Sequence, residues 1–126
     1  MTYRFTIDRL PSRELSPNWK GHWSKFHKAM QMDKSDAYAY FLHQCTRPEK
    51  PLEAVQVTVR VYRKGKQRMD PDNFSARMKG YWDGLVDVGL LKDDSTDVIK
   101  TVEYIFEVDP EKAGREGLVE FQITEA

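Results

Sequence analysis

Three aspartates stand out in the segment RMDPDNFSARMKGYWDGLVDVGLLKDDSTDV at residues 68–98. Asp70 and Asp72 flank Pro71, and Asp94 ends the Asp93-Asp94 pair further on. Pro71 fixes its own φ and biases Asp70 away from helix, and in extended chain a spacing of two points both carboxylates to one side. Carboxylates that converge with no Cys or His beside them suit a hard divalent cation, Mg2+ or Mn2+, which takes oxygen ligands and keeps water or substrate oxygens in its shell. Such an ion binds a phosphodiester oxygen, lowers the pKa of a water and steadies the leaving alkoxide. Lys79 lies four residues before Asp83. On a helix the two can pair, which either orients Lys79 toward negative charge that builds in a reaction or makes only a surface ion pair. Each acid pair alone reads equally well as a helix cap or a turn. The order basic run, Asp-x-Asp-Asn, Lys with Asp, then Asp-Asp is the more specific signal.

Several elements must position these residues. Residues 3–9 alternate as a strand. Residues 10–23, with Pro11, Ser12, Ser16, Pro17, Asn18 and Gly21, read as loop. From Ser24 to Cys45 the spacing of Phe26, Met30, Ala37, Phe41 and Cys45 predicts a helix, closed by Pro48 and Pro51. Residues 54–62, AVQVTVRVY, are the clearest strand, with Val55, Val57, Val59 and Val61 on one face. Asn73 predicts the cap of one helix running to Val88, with Phe74, Met78, Tyr81, Trp82, Leu85 and Val88 as its apolar stripe and Gly89 after it. Gly80 and Gly84 inside that helix mean either a weak helix or close packing. A helix of that length spans about 24 Å. Asp94 therefore nears Asp70 and Asp72 only if the chain doubles back through Gly89–Lys92. Strands at 97–108 and 118–124, joined through AGREG, complete the order β-α-β-α-β-β. The expectation is one α/β (α+β) domain over residues 1–126, with a mixed four-stranded sheet and two main helices.

Charge bears on the partner. The chain has 126 residues, 20 basic and 20 acidic, and its net charge of zero counts, as a total, against a polyanion. The distribution says otherwise: residues 1–79 carry 16 Lys or Arg against 8 Asp or Glu, and residues 80–126 carry 4 against 12. The sharpest basic run holds Arg60, Arg63, Lys64, Lys66 and Arg68, either as contacts to a phosphate backbone or as a solvated loop. Trp19, Lys20, Gly21, His22, Trp23 and Lys25 mix rings and charges that suit bases and phosphates, or else pack on the sheet. Met69 stands directly before the acids, in either a core or a substrate-facing position. The acids of the last two strands are expected to face away from any nucleic acid. His22, His27 and His43 are scattered, which argues against zinc. Cys45, the single cysteine, excludes an internal disulfide and reads as a core thiol. No apolar run approaches a membrane span, and MTYRFTIDRL lacks a signal-peptide centre, so a cytoplasmic protein is expected. A phosphate-binding loop, a dinucleotide fingerprint and a nucleophile elbow are all missing.

On these motifs the sequence resembles the RusA family of Holliday junction resolvases, mostly encoded by phages and prophages. The resemblance rests on Asp70-Pro71-Asp72-Asn73, on Lys79 to Leu85 (KGYWDGL) and on Gly89 to Asp94 (GLLKDD). Ser16-Pro17-Asn18, the Val-rich strand leading into Arg and Lys, and the closing EFQITE are similar as well. It implies metal-binding acids at Asp70, Asp72 and Asp94. It also implies an essential lysine at Lys79, which keeps the Lys-x-x-x-Asp spacing although its gap from Asn73 is longer than in the founding member. The implied activity is a Mg2+- or Mn2+-dependent endodeoxyribonuclease of recombination and repair. It acts as a homodimer and makes paired nicks across a four-way DNA junction. The alternative is a non-cleaving DNA-binding relative. Carboxylates crowded beside DNA repel phosphate unless a cation intervenes, which favours the enzyme.

Overall fold

The computed structural model describes every residue except Gln67. Its centre is the alternating strand β2 (Val55–Arg63), whose Val55, Val57, Val59 and Val61 are all buried. β2 pairs on one side, antiparallel, with β4 (Leu118–Glu125) and on the other, parallel, with β3 (Ile99–Val108). β1 (Thr2–Ile7) pairs antiparallel with β4, so the sheet runs β1-β4-β2-β3. A parallel pair needs a long crossover. Residues 64–98 provide it, and the whole acid motif lies within it.

One face of the sheet is covered by α1 (Trp23–Gln44), α2 (Pro71–Arg77) and α3 (Lys79–Asp87). Phe5 stacks on Phe121 with ring centroids 4.8 Å apart, and Trp82 meets Phe121 edge-on at 5.7 Å. Phe74 of α2 packs edge-on against Tyr104 and Phe106 of β3, at 5.9 and 5.4 Å. The other face is polar, with Thr58 and Arg60 of β2 beside Gln122 and Glu120 of β4. The period-2 pattern of the sequence thus separates an apolar inner face from a solvated outer one. By register Glu103 and Glu107 lie opposite Thr58 and Tyr62, on the outer face with Glu120. These acids of β3 and β4 sit across the sheet from the helices.

The expected single helix over 73–88 is two helices that meet at Met78. The first starts at Pro71 because Asp70, not Asn73, is the cap. Proline at the first helical position has its φ already set, and the Asp70 carboxylate accepts from the freed backbone N–H groups of Asp72 at 2.9 Å and Asn73 at 3.4 Å. At Met78 the ladder tightens to an N–H bond on the Ser75 carbonyl. This joint lets Phe74 face β3 while the next helix turns its glycines to α1. A Cβ at Gly84 would lie 2.4 Å from the Lys34 carbonyl oxygen and 2.8 Å from the Ala37 Cβ; one at Gly80 would lie 2.5 Å from the Asp33 Cβ. Of the two readings of these glycines, close packing is the one the structure adopts. A short helix, α4 (Pro110–Ala113), follows β3 where turn alone was expected, with Asp109 as its cap.

The buried stripe of α1 is Ala29, Asp33, Ala37 and Phe41. Cys45 is half-buried at the end of that helix, and burial raises its thiol pKa. Asp33 is fully buried and accepts from Arg9 Nη2 at 2.7 Å, Ser12 N at 2.9 Å and Ser12 Oγ at 2.7 Å. Arg9 also donates to Asp36, and Tyr81 Oη donates to the Arg9 carbonyl at 2.6 Å. Burial works against the Arg9 charge, but Tyr81 and the bonds to Asp33 and Asp36 outweigh it and raise its pKa. The network pins the segment after β1 to the crossing of α1 and α3. No helix among the described residues is long and apolar enough to cross a membrane.

Candidate functional site

The return of the chain decides where Asp94 goes. Gly89 adopts φ +89°, a conformation open to glycine, and the N–H groups of Leu90 and Leu91 both bond to the Leu85 carbonyl. Leu91 then bridges to Leu52, and Lys92 N–H bonds back to the Leu52 carbonyl. The chain therefore runs back along α3 toward its start, and Asp94 meets Lys79, the first residue of that helix. Lys79 Nζ donates to Asp94 Oδ2 at 2.6 Å and lies 3.1 Å from Asp83 Oδ1. The expected Lys79–Asp83 pair is present, and Asp94 joins it. The hydrogen bond to Asp94 raises the Lys79 pKa, burial opposes it, and Asp83 adds to the rise. The same bond holds Asp94 below its ordinary value.

Asp70 and Asp72 stand at the other end of α2. Both are exposed, and neither is within ion-pair distance of a basic side chain among the described residues. Their geometry differs from the extended pair expected: Asp70 is extended, but Asp72 is already helical, and one Asp70 oxygen is spent on the cap. Among the described residues no three Asp, Glu, His or Cys side chains gather as one metal-binding group. Asp94 is thus brought to Lys79 and Asp83, not into a three-carboxylate cluster with Asp70 and Asp72. The donor set still fits Mg2+ or Mn2+, because such ions are commonly held by one or two carboxylates, with water and substrate phosphate completing the shell.

The basic residues divide. Arg68 lines a groove of about 620 Å3 together with Arg13, Arg77, Trp19, Asp70 and Asn73. Met69 lines the same groove and is partly buried against the core. Lys20 and Lys25 are exposed on either side of Trp23. Lys66 is exposed between β2 and the acids. Arg63 and Lys64 line a separate shallow depression with Arg115 and Glu116. Arg60 lies on the outer face of the sheet, 3.9 Å from Glu120, and the sheet separates it from the helices that carry the acids. Sequence reasoning grouped Arg60 with Arg68 by proximity in the chain. The alternation of β2 already placed Arg60 opposite the valines.

Arg13 and Arg77 were not picked out from the sequence. Arg77 stood out in the sequence only as the neighbour of Ala76, where gapless counting from Asn73 would place the essential lysine, and Arg13 only as a loop residue. His22 caps α1, its Nδ1 accepting from Ser24 N–H. No protein-family model and no curated protein matches the chain.

Proposed function

We propose that the protein is a Mg2+- or Mn2+-dependent endodeoxyribonuclease that resolves four-way DNA junctions by paired nicks, working in the cytoplasm as a homodimer with one acid set per nicked strand. The observation that carries this reading is the groove lined by both Arg68 and Asp70: a positive charge in the same groove as an exposed acid that has no basic partner among the described residues. An acid so placed repels a phosphodiester unless a cation lies between them. The likeness of the Asp70–Asn73 and Lys79–Asp94 segments to junction resolvases supports the same conclusion.

Asp70 and Asp72 hold the ion, which when bound would activate a water and offset the charge of the scissile phosphate. Lys79, fixed by Asp83 and Asp94 and kept protonated by them, places its charge at the α2–α3 joint. There it offsets negative charge developing on the phosphate. In this arrangement Asp94 orients the lysine. Arg68 holds backbone next to the cleaved bond, and Lys64, Lys66, Lys20 and Lys25 hold more distant phosphates.

Two observations favour the second reading, a DNA binder that does not cleave: the capping bond of Asp70 and the engagement of Asp94 with Lys79. Cleavage of a synthetic four-way junction beside linear duplex, with and without Mg2+, separates the readings. Asp72→Asn is expected to reduce Mg2+-dependent junction cleavage by at least about 100-fold while junction binding persists. A fully active Asp72→Asn protein refutes the site, and a wild-type protein that binds junctions without nicking them establishes the binder.

A further inference from the structure

Arg77 is a half-buried cation with no ion-pair partner among the described residues. Its Nη2 donates to the Pro11 carbonyl, and its guanidinium lies 5.6 Å from the centre of the Phe74 ring. Its Nε is buried with no hydrogen-bond partner, and no carboxylate lies within 4.0 Å of it among the described residues. Burial depresses its pKa, the charges of Asp33 and Tyr81 offset only part of this, and the nearby charge of Arg13 adds to the depression. Two guanidiniums thus repel each other across the rim of one groove, and Arg68 lines the same space. Desolvated charge of one sign is costly unless an opposite charge completes it. The one carboxylate of the lining, Asp70, has an oxygen committed to the backbone of α2.

Trp19 lines the same groove. It is about one-third exposed, and its ring lies so close over Gly21 that a Cβ there would be 2.1 Å from Cζ2. Its backbone N–H bonds to the Ser16 carbonyl at 3.0 Å, which ties the Trp19 main chain to the turn after Ser16. Three guanidiniums and an indole ring lining one groove match a phosphate joined to a base, and a volume of about 620 Å3 suits a ligand of that size.

We propose that this groove is a nucleotide subsite for single-stranded DNA. Arg13, Arg68 and Arg77 hold a phosphate, the adjoining base stacks on Trp19, and the strand continues to Asp70. The inference rests on the reading that the protein acts on DNA, and assigns the groove a nucleotide unpaired where strands exchange at the branch point.

The test measures binding by the full chain in EDTA, so that cleavage plays no part. The probes are a fluorescein-labelled 12-nucleotide oligo-dT, a duplex of the same length, and free dTMP as competitor. Trp19→Ala is expected to weaken oligo-dT binding roughly 5- to 100-fold, with duplex binding changed less than about twofold. Trp19→Phe should restore most of the loss. Arg13→Gln, at an exposed position, should lower the salt slope for oligo-dT by about 0.7. Arg77 also ties down Pro11, so the test uses Arg13 and Trp19. Oligo-dT affinity within twofold of wild type in both Trp19→Ala and Arg13→Gln overturns the subsite, as does dTMP binding as tightly as the oligonucleotide. An active Asp72→Asn protein with the Trp19 effect intact refutes the acid site and leaves the subsite standing.

Discussion

Replacing Asp33 with asparagine isolates the role of the buried network. Asp33 Oδ1 accepts from Arg9 Nη2 and Ser12 Oγ, and Oδ2 accepts from Ser12 N–H. An amide has one oxygen, so its NH2 group must face either the Ser12 N–H or the Arg9 guanidinium. A charge-assisted bond contributes about 1.5–3 kcal/mol, and a buried donor left without a partner costs about 1–3 kcal/mol. Asp33 is fully buried, so solvent does not screen the loss. Asp36 still holds Arg9, which keeps the total near the lower end of the 3–5 kcal/mol typical of a broken buried pair. Asp33→Asn should therefore destabilise the fold by about 3 kcal/mol. For a domain of this size that is a fall of roughly 10 °C in Tm. Urea titration followed by circular dichroism should show the midpoint fall with the slope unchanged. A double-mutant cycle with Arg9→Met should return a coupling of at least about 0.5 kcal/mol. A loss below about 1 kcal/mol, or strict additivity in the cycle, would mean that the network does not hold the crossing together.

Gly84→Ala, which on helix propensity alone should stabilise by about 1 kcal/mol, should instead destabilise by about 1–3 kcal/mol, because the new Cβ meets the backbone oxygen of Lys34; thermal melts decide it. Asp94→Asn should leave Lys79 held by Asp83 alone and reduce cleavage, with a stability loss of only a few tenths of a kcal/mol because both groups are partly exposed. That small difference has a defined pH window. Asp94 is depressed from 3.8, so its contribution is present above that value and vanishes as pH falls through the lower folded pKa. Lys79 is raised from 10.5, so its contribution is present below that value and vanishes as pH rises through the higher one. Wild type minus Asp94→Asn should be flat between about pH 5 and 9 and close at the acid end. Lys64→Ala with Lys66→Ala should weaken binding to all DNA sequences alike and reduce the duplex salt slope by about 0.9 per lost contact; an unchanged slope marks them as solvated surface.

The sheet and the long helix were legible because their signals are local. Four valines at a spacing of two permit only a strand with one buried face, and β2 has it. The helix break at Met78 was not legible, because Phe74 and Met78 share a helical stripe whether or not the axis bends. What bends it is packing with β3 on one side and α1 on the other. The capping role of Asp70 was open to reading from Asp-Pro alone, since a proline at the first helical position asks for a cap directly before it. The meeting of Asp94 with Lys79 depended on the return at Gly89, which the sequence permits without requiring. Asp33 carried a signal that went unread. It falls on the same four-residue rhythm as Ala29, Ala37 and Phe41, and a charge on an apolar stripe requires a buried partner.

The strand order has a consequence for synthesis. The strand that joins β1 to β2 is β4, the last of the four to be made. Until it emerges, the inner faces of β1 and β2 have no shared neighbour, and Tyr3, Phe5 and Ile7 wait for Phe121 and Ile123. At translation rates of about 5–20 residues per second, the interval between the two strands lasts on the order of 5–20 seconds. The sheet therefore closes only once β4 has been made, and until then the apolar edges of β1 and β2 are open to mispairing.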